Sequence, residues 1–500
     1  RWVDNNGAYI RAPEPANLYR TTGNLVGAYR VRDLQLDAYA VCANKAPSTP
    51  NRGYGCQQLY FGLERLMDKV AERLGMDPAD LRLRNFIGRE AFPYVTPSGG
   101  EYDSGDFHAV LMRALDAADY RGLRAWQGRE RARGRHVGIG LATIVDPSVS
   151  NMGYITVALD PALRKRPEYL PKSGSADYAA VSLDPLGQVT VVMATAPQGQ
   201  GHDTAIAQVV ADTLGIHPDE VEVVDEFDSL RSVWGISSGT YASRFASMGL
   251  SAVALAARQV RDKVLRIAGH LMGCDPDALE LVGGTVRLRR FPDESLPLRR
   301  VAGTAHWNPG TLPAGMEPGL RASATFSFPR MEPPDEADRV NACFTYGFIA
   351  DLVAVEVFPE TGRVQILKYV TVHDAGRIIN PLLVEGQAYG SAFLGMAGAL
   401  FETFTYDDGG QLLCTTLLDY VCPAASEAPE LEIHHIETPS PLTTVGSKGC
   451  AEGSSMSAPV AIANAVADAL SPLGVEIDAL PLTPARLWAK LQAAARGETR

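Results

Sequence analysis

Residues 439–470 read PSPLTTVGSKGCAEGSSMSAPVAIANAVADAL, and this stretch decides how the rest of the chain is arranged. Between Gly446 and Ser457 the residues are small and backbone-permissive: Gly446, Ser447, Gly449, Ala451, Gly453, Ser454 and Ser455. Such a segment turns sharply and lets the main chain approach a ligand closely. From Ala458 to Leu470 the residues are apolar on nearly every side, the pattern of a buried helix. Glu452 stands at the mouth of that helix in a turn that is otherwise nearly uncharged, so it faces the interior or a cleft rather than bulk water. The simpler reading is a carboxylate favouring the positive helix N-terminus. The functional reading is an acid placed in a cleft.

Outward from this stretch, 500 residues give room for two or three cores. The 46% apolar and 21% charged fractions are those of an ordinary globular protein. A net charge of −12 argues against nucleic acid or an anionic membrane as the main partner. No run of about 18 apolar residues occurs, so no membrane span is expected. The chain opens on RWVDNNGAYI, without the basic and apolar regions of a secretory signal, and is expected to start inside a fold. Its seven cysteines are scattered with no CxxC, which argues against an iron–sulfur or zinc site built from this chain alone. The odd count suggests reduced thiols and a cytoplasmic location.

Residues 1–58 read as short strands joined by turns, VGAYRV at 26–31 and LQLDAYAVCANK at 34–45 among them. QLYFGLERLMDKVAERLGM and DLRLRNFI carry helical spacing, the second opening on Pro78, and FHAVLMRALDAADY predicts another helix. The charge run QGRERARGRH at 127–136 is the best candidate for a domain boundary, and from Val137 the period becomes that of strands: VGIGLATIV, YITVALD, YAAVSLD and QVTVVMATA. DPLG at 184–187 predicts a hairpin turn. Helices are expected after PQGQG, after GTYASR and over INPLLVEGQAYGSAFLGMAGALFE, with strands in VEVVDE and in DLVAVEVFPETGRVQILKYVTVHD. A Pro-, Gly- and charge-rich passage at about 291–341 reads as loop. This irregular alternation gives an α+β fold, with helices packed on mixed sheets.

Three small-residue turns enter helices: Gln198 to His202, Ser238 to Arg244, and Gly446 to Gly453. Free backbone N–H groups at a helix start make an anion cradle, and three in one chain hint at a large polar ligand held mostly by main chain. None is a nucleotide fingerprint: Gly138-Ile139-Gly140 lacks the third glycine, and no GxxxxGK[ST] occurs. His434 and His435 are adjacent and no histidine pair stands at i, i+4 with a Glu, so no side-chain metal site is expected. Arg52, beside Tyr54 in a Gly-rich turn, is either a solvated loop cation or a guanidinium exposed at a cleft.

PNRGYGCQQ at 50–58, followed by ERLMDKVAERLGMDPADLRLRNFI, resembles the (Y/F)RGFGxPQ turn and following helices of the xanthine dehydrogenase and aldehyde oxidase family of molybdenum hydroxylases. PQGQGHDT is similar to that family's GQG segment, and TYASR to its serine-rich pterin-binding turn. HDAGRIINPLLVEGQAYG is similar to its D-x-G-x-x-(I/L)NP…GQ segment, and PSPLTTVGSKGCAEG to its G-x-KG-x-GE segment. The resemblance implies two elongated domains with the cofactor at their interface: residues 1–130 finish the first molybdenum-binding domain and 131–500 form the second, with subdomains at 137–335 and 340–490. It also implies a molybdenum–molybdopterin cofactor, in the cytosine dinucleotide form, without a side-chain ligand to the metal.

By the same resemblance Glu452 is the base that takes a proton from the water-derived oxygen. The cofactor lies against Gly199, Gln200, Gly201, His202, Ser243, Arg244, Arg52, Gly53, Gln387, Gly446, Lys448 and Gly449. Tyr54 and Arg20 line the substrate pocket; Arg20 stands ahead of Tyr29 at a spacing like that of a pocket arginine in xanthine-oxidising members, the alternative being a solvated helix arginine. Iron–sulfur and FAD cofactors are expected on partner subunits. The family's portion upstream of RWVDNNGAYI is missing, which implies a second molybdenum-binding chain completing the site, or a fragment. Three departures matter: Cys450-Ala451-Glu452 stands where V-G-E is frequent, Cys56-Gln57-Gln58 replaces x-P-Q, and Gly53 follows Arg52 where copper-containing carbon monoxide dehydrogenases place a cysteine. The last argues against carbon monoxide as substrate. The expected activity is oxidation of an aldehyde or aromatic N-heterocycle with water as oxygen source; the alternative is a non-catalytic cofactor-holding or scaffold subunit.

Overall fold

A computed structural model describes residues 1–11, 14–170, 175–226, 239–328 and 331–498. Helix α1 (Cys56–Leu74) precedes the long strand β1 (His136–Ser150). A hairpin of β2 (Ala176–Leu183) and β3 (Val189–Met193) turns on Asp184–Gly187 and leads into α2 (His202–Leu214), β4 (Val221–Val224) and α3 (Leu250–Met272). Strand β5 (Leu320–Ser327) is followed by a second hairpin, β6 (Cys343–Phe358) and β7 (Arg363–Asp374). Then come α4 (Pro381–Leu400), β8 (Leu431–Ile436) and α5 (Gly453–Leu470).

Two four-stranded sheets result. The first runs β8-β7-β6-β1 and the second β5-β2-β3-β4. Each is mixed, with one parallel pair, β7–β8 and β3–β4, and antiparallel neighbours elsewhere. The fold is α+β with helices packed on mixed sheets.

The first sheet is covered on both faces, which is why β1 and β6 read as long apolar runs and are buried nearly end to end. On one face lie α1, α4, α5 and a C-terminal helix at Pro484–Ala495. On the other lies the helix Phe107–Ala117, whose Phe107 ring stacks on Phe348 of β6 with centroids 4.3 Å apart. The second sheet packs on α2, α3 and a helix at Leu298–Trp307.

Helix α5 carries the candidate base at its start, and glycine sets its seat on the sheet. A Cβ on Gly140 would collide with the Ala461 carbonyl and the Ala465 amide, and one on Gly138 with the same groups of Ala465 and Ala469. The pair read as a failed nucleotide fingerprint is thus a backbone-to-backbone contact between β1 and α5. Gly140→Val is expected to push the helix off the strand and lower stability by about 1–3 kcal/mol, read as a lower midpoint of denaturant unfolding.

A fully buried Arg82 fixes α1 to the same strand. Its Nε donates to Glu64 Oε2 at 2.9 Å and its Nη1 to Asp68 Oδ1 at 2.7 Å, while the Thr143 amide of β1 donates to Glu64 Oε2 at 2.9 Å.

Some expectations for local structure are corrected. YITVALD forms a 3₁₀ helix (Met152–Ala158), because Asn151 accepts from the Gly153 amide at 3.0 Å and donates to the carbonyls of Glu332 and Asn341. VGAYRV is a turn region touching Phe86 through an isolated bridge at Tyr29, and in 34–45 the strand is only Ala38–Val41. The passage at 291–341 contains the helix Leu298–Trp307 and strand β5, whose alternating burial matches a sheet covered on one face. Part of the charge run at 127–136 is tied to the fold: Arg131 pairs with Asp468 at 3.1 Å and Arg135 with Glu356 at 2.5 Å, while Arg129 and Arg133 are exposed.

Candidate functional site

The turn before α5 is held in place by its own main chain. The Lys448 amide donates to the Ala375 carbonyl at 2.8 Å, and the Gly449 amide to Ser148 Oγ of β1 at 3.1 Å. Gly449 sits so close to Ser148 and Ser243 that a Cβ would lie 2.6 Å and 2.5 Å from theirs. Glu452 follows as the residue before the first helical position, 6% exposed. Four donors converge on its carboxylate. Arg20 gives Nη1 to Oε1 at 3.3 Å and Nη2 to Oε2 at 2.8 Å, the Gly53 amide gives 2.9 Å to Oε1, and Ser243 Oγ gives 3.4 Å to Oε2. Sequence-remote segments therefore meet on one acid.

Arg20 is fully buried, which overturns the solvated-helix alternative. Its guanidinium lies 4.3 Å from the Tyr54 ring centroid and also donates to the carbonyls of Pro147 (2.9 Å) and Tyr54 (3.4 Å). Burial works against its charge, yet Glu452 and the neighbouring Tyr54, Cys56 and Cys343 hold its pKa well above the ordinary arginine value. Gly53 has φ +80°, and a Cβ there would come within 2.6 Å of Ser455 Oγ, so this position requires glycine on both counts. Arg52 is not solvated either: Nη2 donates to Gln387 O and Oε1, each at 3.0 Å, and Nε donates to the Ala451 carbonyl. Burial depresses its pKa against the pull of Glu452, Cys450 and Asp146.

A cavity of about 550 Å³ opens in front of Glu452, a size suited to a cofactor. Arg52, Tyr54, Gln200, Gly201, His202, Ser243, Gln387, Lys448 and Glu452 all line it. Arg20, Gly53, Gly199, Arg244, Gly446 and Gly449 lie outside its wall. Arg244 is buried with Nη2 on Asp177 Oδ2 at 3.1 Å and on the Ala176 carbonyl at 2.9 Å, fastening its turn to β2. The buried Lys448 ammonium donates to Ser104 O at 2.9 Å and faces Asp374 Oδ2 at 3.9 Å, so its charge is directed into the fold. Gly446 (φ +80°) turns its carbonyl to the amides of Arg377 and Ser440, and Gly199 (φ +94°) precedes the Gly201 cap of α2. Ser238, the first residue of the second cradle, lies outside the described residues.

His202 is buried and stacked on Phe245 with centroids 3.6 Å apart. Burial pushes its pKa down to about 4, so it is neutral near pH 7. Its Nδ1 has no protein hydrogen-bond partner among the described residues. An orphaned ring nitrogen, cavity-lining glutamines and helix-start amides suit a large polar ligand. Among the described residues no group of three His, Cys, Asp or Glu side chains is placed to hold a metal ion, so a metal here fits only if it arrives with its own ligand.

Sequence reasoning passed over Asp146 at this site and noted Cys450 only as a departure from the family motif. Cys450 lines the cavity, whereas Cys56 is fully buried at the start of α1, 3.8 Å from the Asn24 amide nitrogen, outside the wall. Asp146 is fully buried beneath the site; its signal was a lone acid in the apolar run that makes β1.

A family profile for a molybdopterin cofactor-binding domain matches residues 113–429, and a second profile of the same description matches residues 1–86. The chain belongs to the molybdopterin cofactor-binding family. Within this family it is similar to the carbon monoxide dehydrogenase large chain of Hydrogenophaga pseudoflava, 34% identical over 98% of this chain and 58% of that protein. It is also similar to the nicotine 6-hydroxylase large subunit of Paenarthrobacter nicotinovorans, 34% identical over 97% of this chain and 56% of that protein. Among solved structures, quinoline 2-oxidoreductase from Pseudomonas putida 86 superposes with a TM-score of 0.85 at 32% identity, over 98% of this chain and 59% of that one. The chain thus spans less than two thirds of the length of these relatives.

Proposed function

We propose that this chain is the molybdenum–pterin-binding catalytic subunit of a hydroxylase that oxidises an aldehyde or an aromatic N-heterocycle with water as the oxygen source. The observation that carries the reading is Glu452: a carboxylate in the wall of the cavity, held by Arg20, Gly53 and Ser243, with Gln200, Gly201 and His202 lining the same cavity. When bound, the cofactor supplies two-electron redox chemistry. Arg52, Gln387, Ser243 and the amides around Gly199 to His202 would hold it, and His202 Nδ1 would gain a partner. Glu452 acts as general base at its carboxylate oxygens, and Arg20 fixes their direction. Tyr54 borders the substrate side, with the buried Arg20 behind it against Glu452. The relatives that share this fold carry nicotine, quinoline and carbon monoxide in their names, and the Gly53 that follows Arg52 argues for the first two kinds of chemistry.

The remaining parts of the proposal are the cytosine dinucleotide form of the cofactor, iron–sulfur and FAD subunits as electron acceptors, a second molybdenum-binding chain or segment completing the pocket, and a cytoplasmic location. Protein partners are favoured by Leu417 and Leu418, 78% and 90% exposed, on a segment that reaches the N-terminal part through Asn44 and the Gly409 carbonyl at 3.0 Å. Among the described residues no helix is long and apolar enough to cross a membrane.

Metal and pterin analysis tests the proposal, on the chain alone and with co-expressed neighbouring subunits, followed by a substrate screen with an artificial electron acceptor. Stoichiometric molybdenum with turnover of a heterocycle or aldehyde is the expected result; no molybdenum in any assembly removes the reading.

A further inference from the structure

Asp146 breaks a rule that buried carboxyl groups keep. It is fully buried, and neither carboxylate oxygen has a hydrogen-bond partner among the described residues. Its register partner on β6 is Gly347, where a Cβ would lie 3.7 Å from the Asp146 Cβ, so the acid leans over a position without a side chain. It points at the start of α5: a Cβ on Gly453, the residue after Glu452, would lie 3.4 Å from Asp146 Oδ2. The next residue, Pro147, gives its carbonyl to the Arg20 that holds Glu452. We propose that Asp146 is a positioning residue for the base, a carboxyl group that stays un-ionised beneath the first turn of α5 so that Glu452 alone carries the site's negative charge. The inference rests on the proposed role of Glu452.

The charged and titratable groups around Asp146 are Glu452 and Cys450 from the turn, Arg20 from the N-terminal segment, and Arg52 and Cys56 from the turn into α1. Burial raises its pKa well above the usual carboxylate range, and the Glu452 charge adds to this; Arg20 and Arg52 pull the other way. Both arginines are already hydrogen-bonded elsewhere, Arg20 to Glu452 and Arg52 to Gln387. Of the two carboxyl groups, one has four donors and the other has none among the described residues. Ionising Asp146 would set a second negative charge beside the base, so its deprotonation closes the working range of the site from the alkaline side.

A folded-state pKa raised above the unfolded value of about 3.9 means that stability from the protonated form is complete below that value and is lost as pH rises toward the folded pKa. Asp146→Asn keeps the shape and cannot ionise; Asp146→Thr has nearly the same volume, suits a strand and cannot ionise either. Unfolding of the full metal-free chain is expected to give both variants a midpoint equal to wild type at pH 4 and above it at pH 8. In the molybdenum-loaded assembly, the alkaline limb of the kcat/KM profile is expected to move to higher pH in both variants while the acid limb stays. A midpoint at or below wild type at pH 8, or an unmoved alkaline limb in an assembly with wild-type molybdenum content, overturns the inference. Loss of the functional reading shows separately, as wild-type protein without molybdenum or turnover, and the unfolding comparison needs neither.

Discussion

Glu452→Gln is expected to keep molybdenum and pterin at wild-type content and to lose turnover by roughly 10²–10⁴-fold, the range that a positioned general base contributes. The substitution is nearly isosteric, so the shape of the cavity persists. What changes is acceptor number: the carboxylate takes four donors, and a carboxamide has one oxygen to offer them. Its NH₂ would face Arg20 Nη2 or Nη1, leaving one guanidinium donor unpaired, and a stability loss of about 1–3 kcal/mol accompanies the kinetic one. Single-turnover assays on metal-quantified protein separate the two losses. Turnover near wild type in a fully loaded Glu452→Gln enzyme would remove the residue from the role of base.

Arg20→Met is the second large effect. The pair it breaks is 0% and 7% exposed, and removing the cation leaves a buried carboxylate with only the Gly53 amide and the Ser243 hydroxyl to hold it. Losing one member of a buried ion pair costs about 3–5 kcal/mol, far above the ~0–1 kcal/mol of a surface pair. Urea unfolding of the metal-free chain measures the difference. The double variant Arg20→Met/Glu452→Gln is expected to lose less than the sum of the two singles, because no unpaired charge remains inside it. Additive losses would show that the two side chains do not depend on each other.

How far the sequence foretold these contacts depends on their range. The small-residue turn and the all-apolar helix behind it are local patterns, and Glu452 stands at the mouth of α5 as expected, although the helix starts at Gly453 rather than Ala458 and takes in serines read as part of the turn. The hairpins of β2–β3 and β6–β7 were equally plain, since DPLG and ETG are turn signals between runs of strand residues. YITVALD had strand alternation too, but Asn151 is bonded to residues some 180 to 190 positions away, and that tertiary demand prevailed over propensity. The burial of Arg20 had no local signal: its partner lies 432 residues further on. Asp146 was visible as a lone acid in an apolar strand, yet only the approach of α5 over Gly347 and Gly453 gave it meaning. The cradle residues were found by composition, whereas the inward turn of the Lys448 ammonium depended on Ser104 and Asp374, which no motif connects to it.

The 432-residue separation between Arg20 and Glu452 also bears on the order of biosynthesis. At roughly 5–20 residues per second, the ribosome releases the acid about 20–90 s after the arginine. Throughout that interval the arginine has no counter-ion for its buried position, and the N-terminal segment cannot settle. Arg20 therefore reaches its buried place only after residue 452 has left the ribosome, and the wall around Glu452 closes after that point.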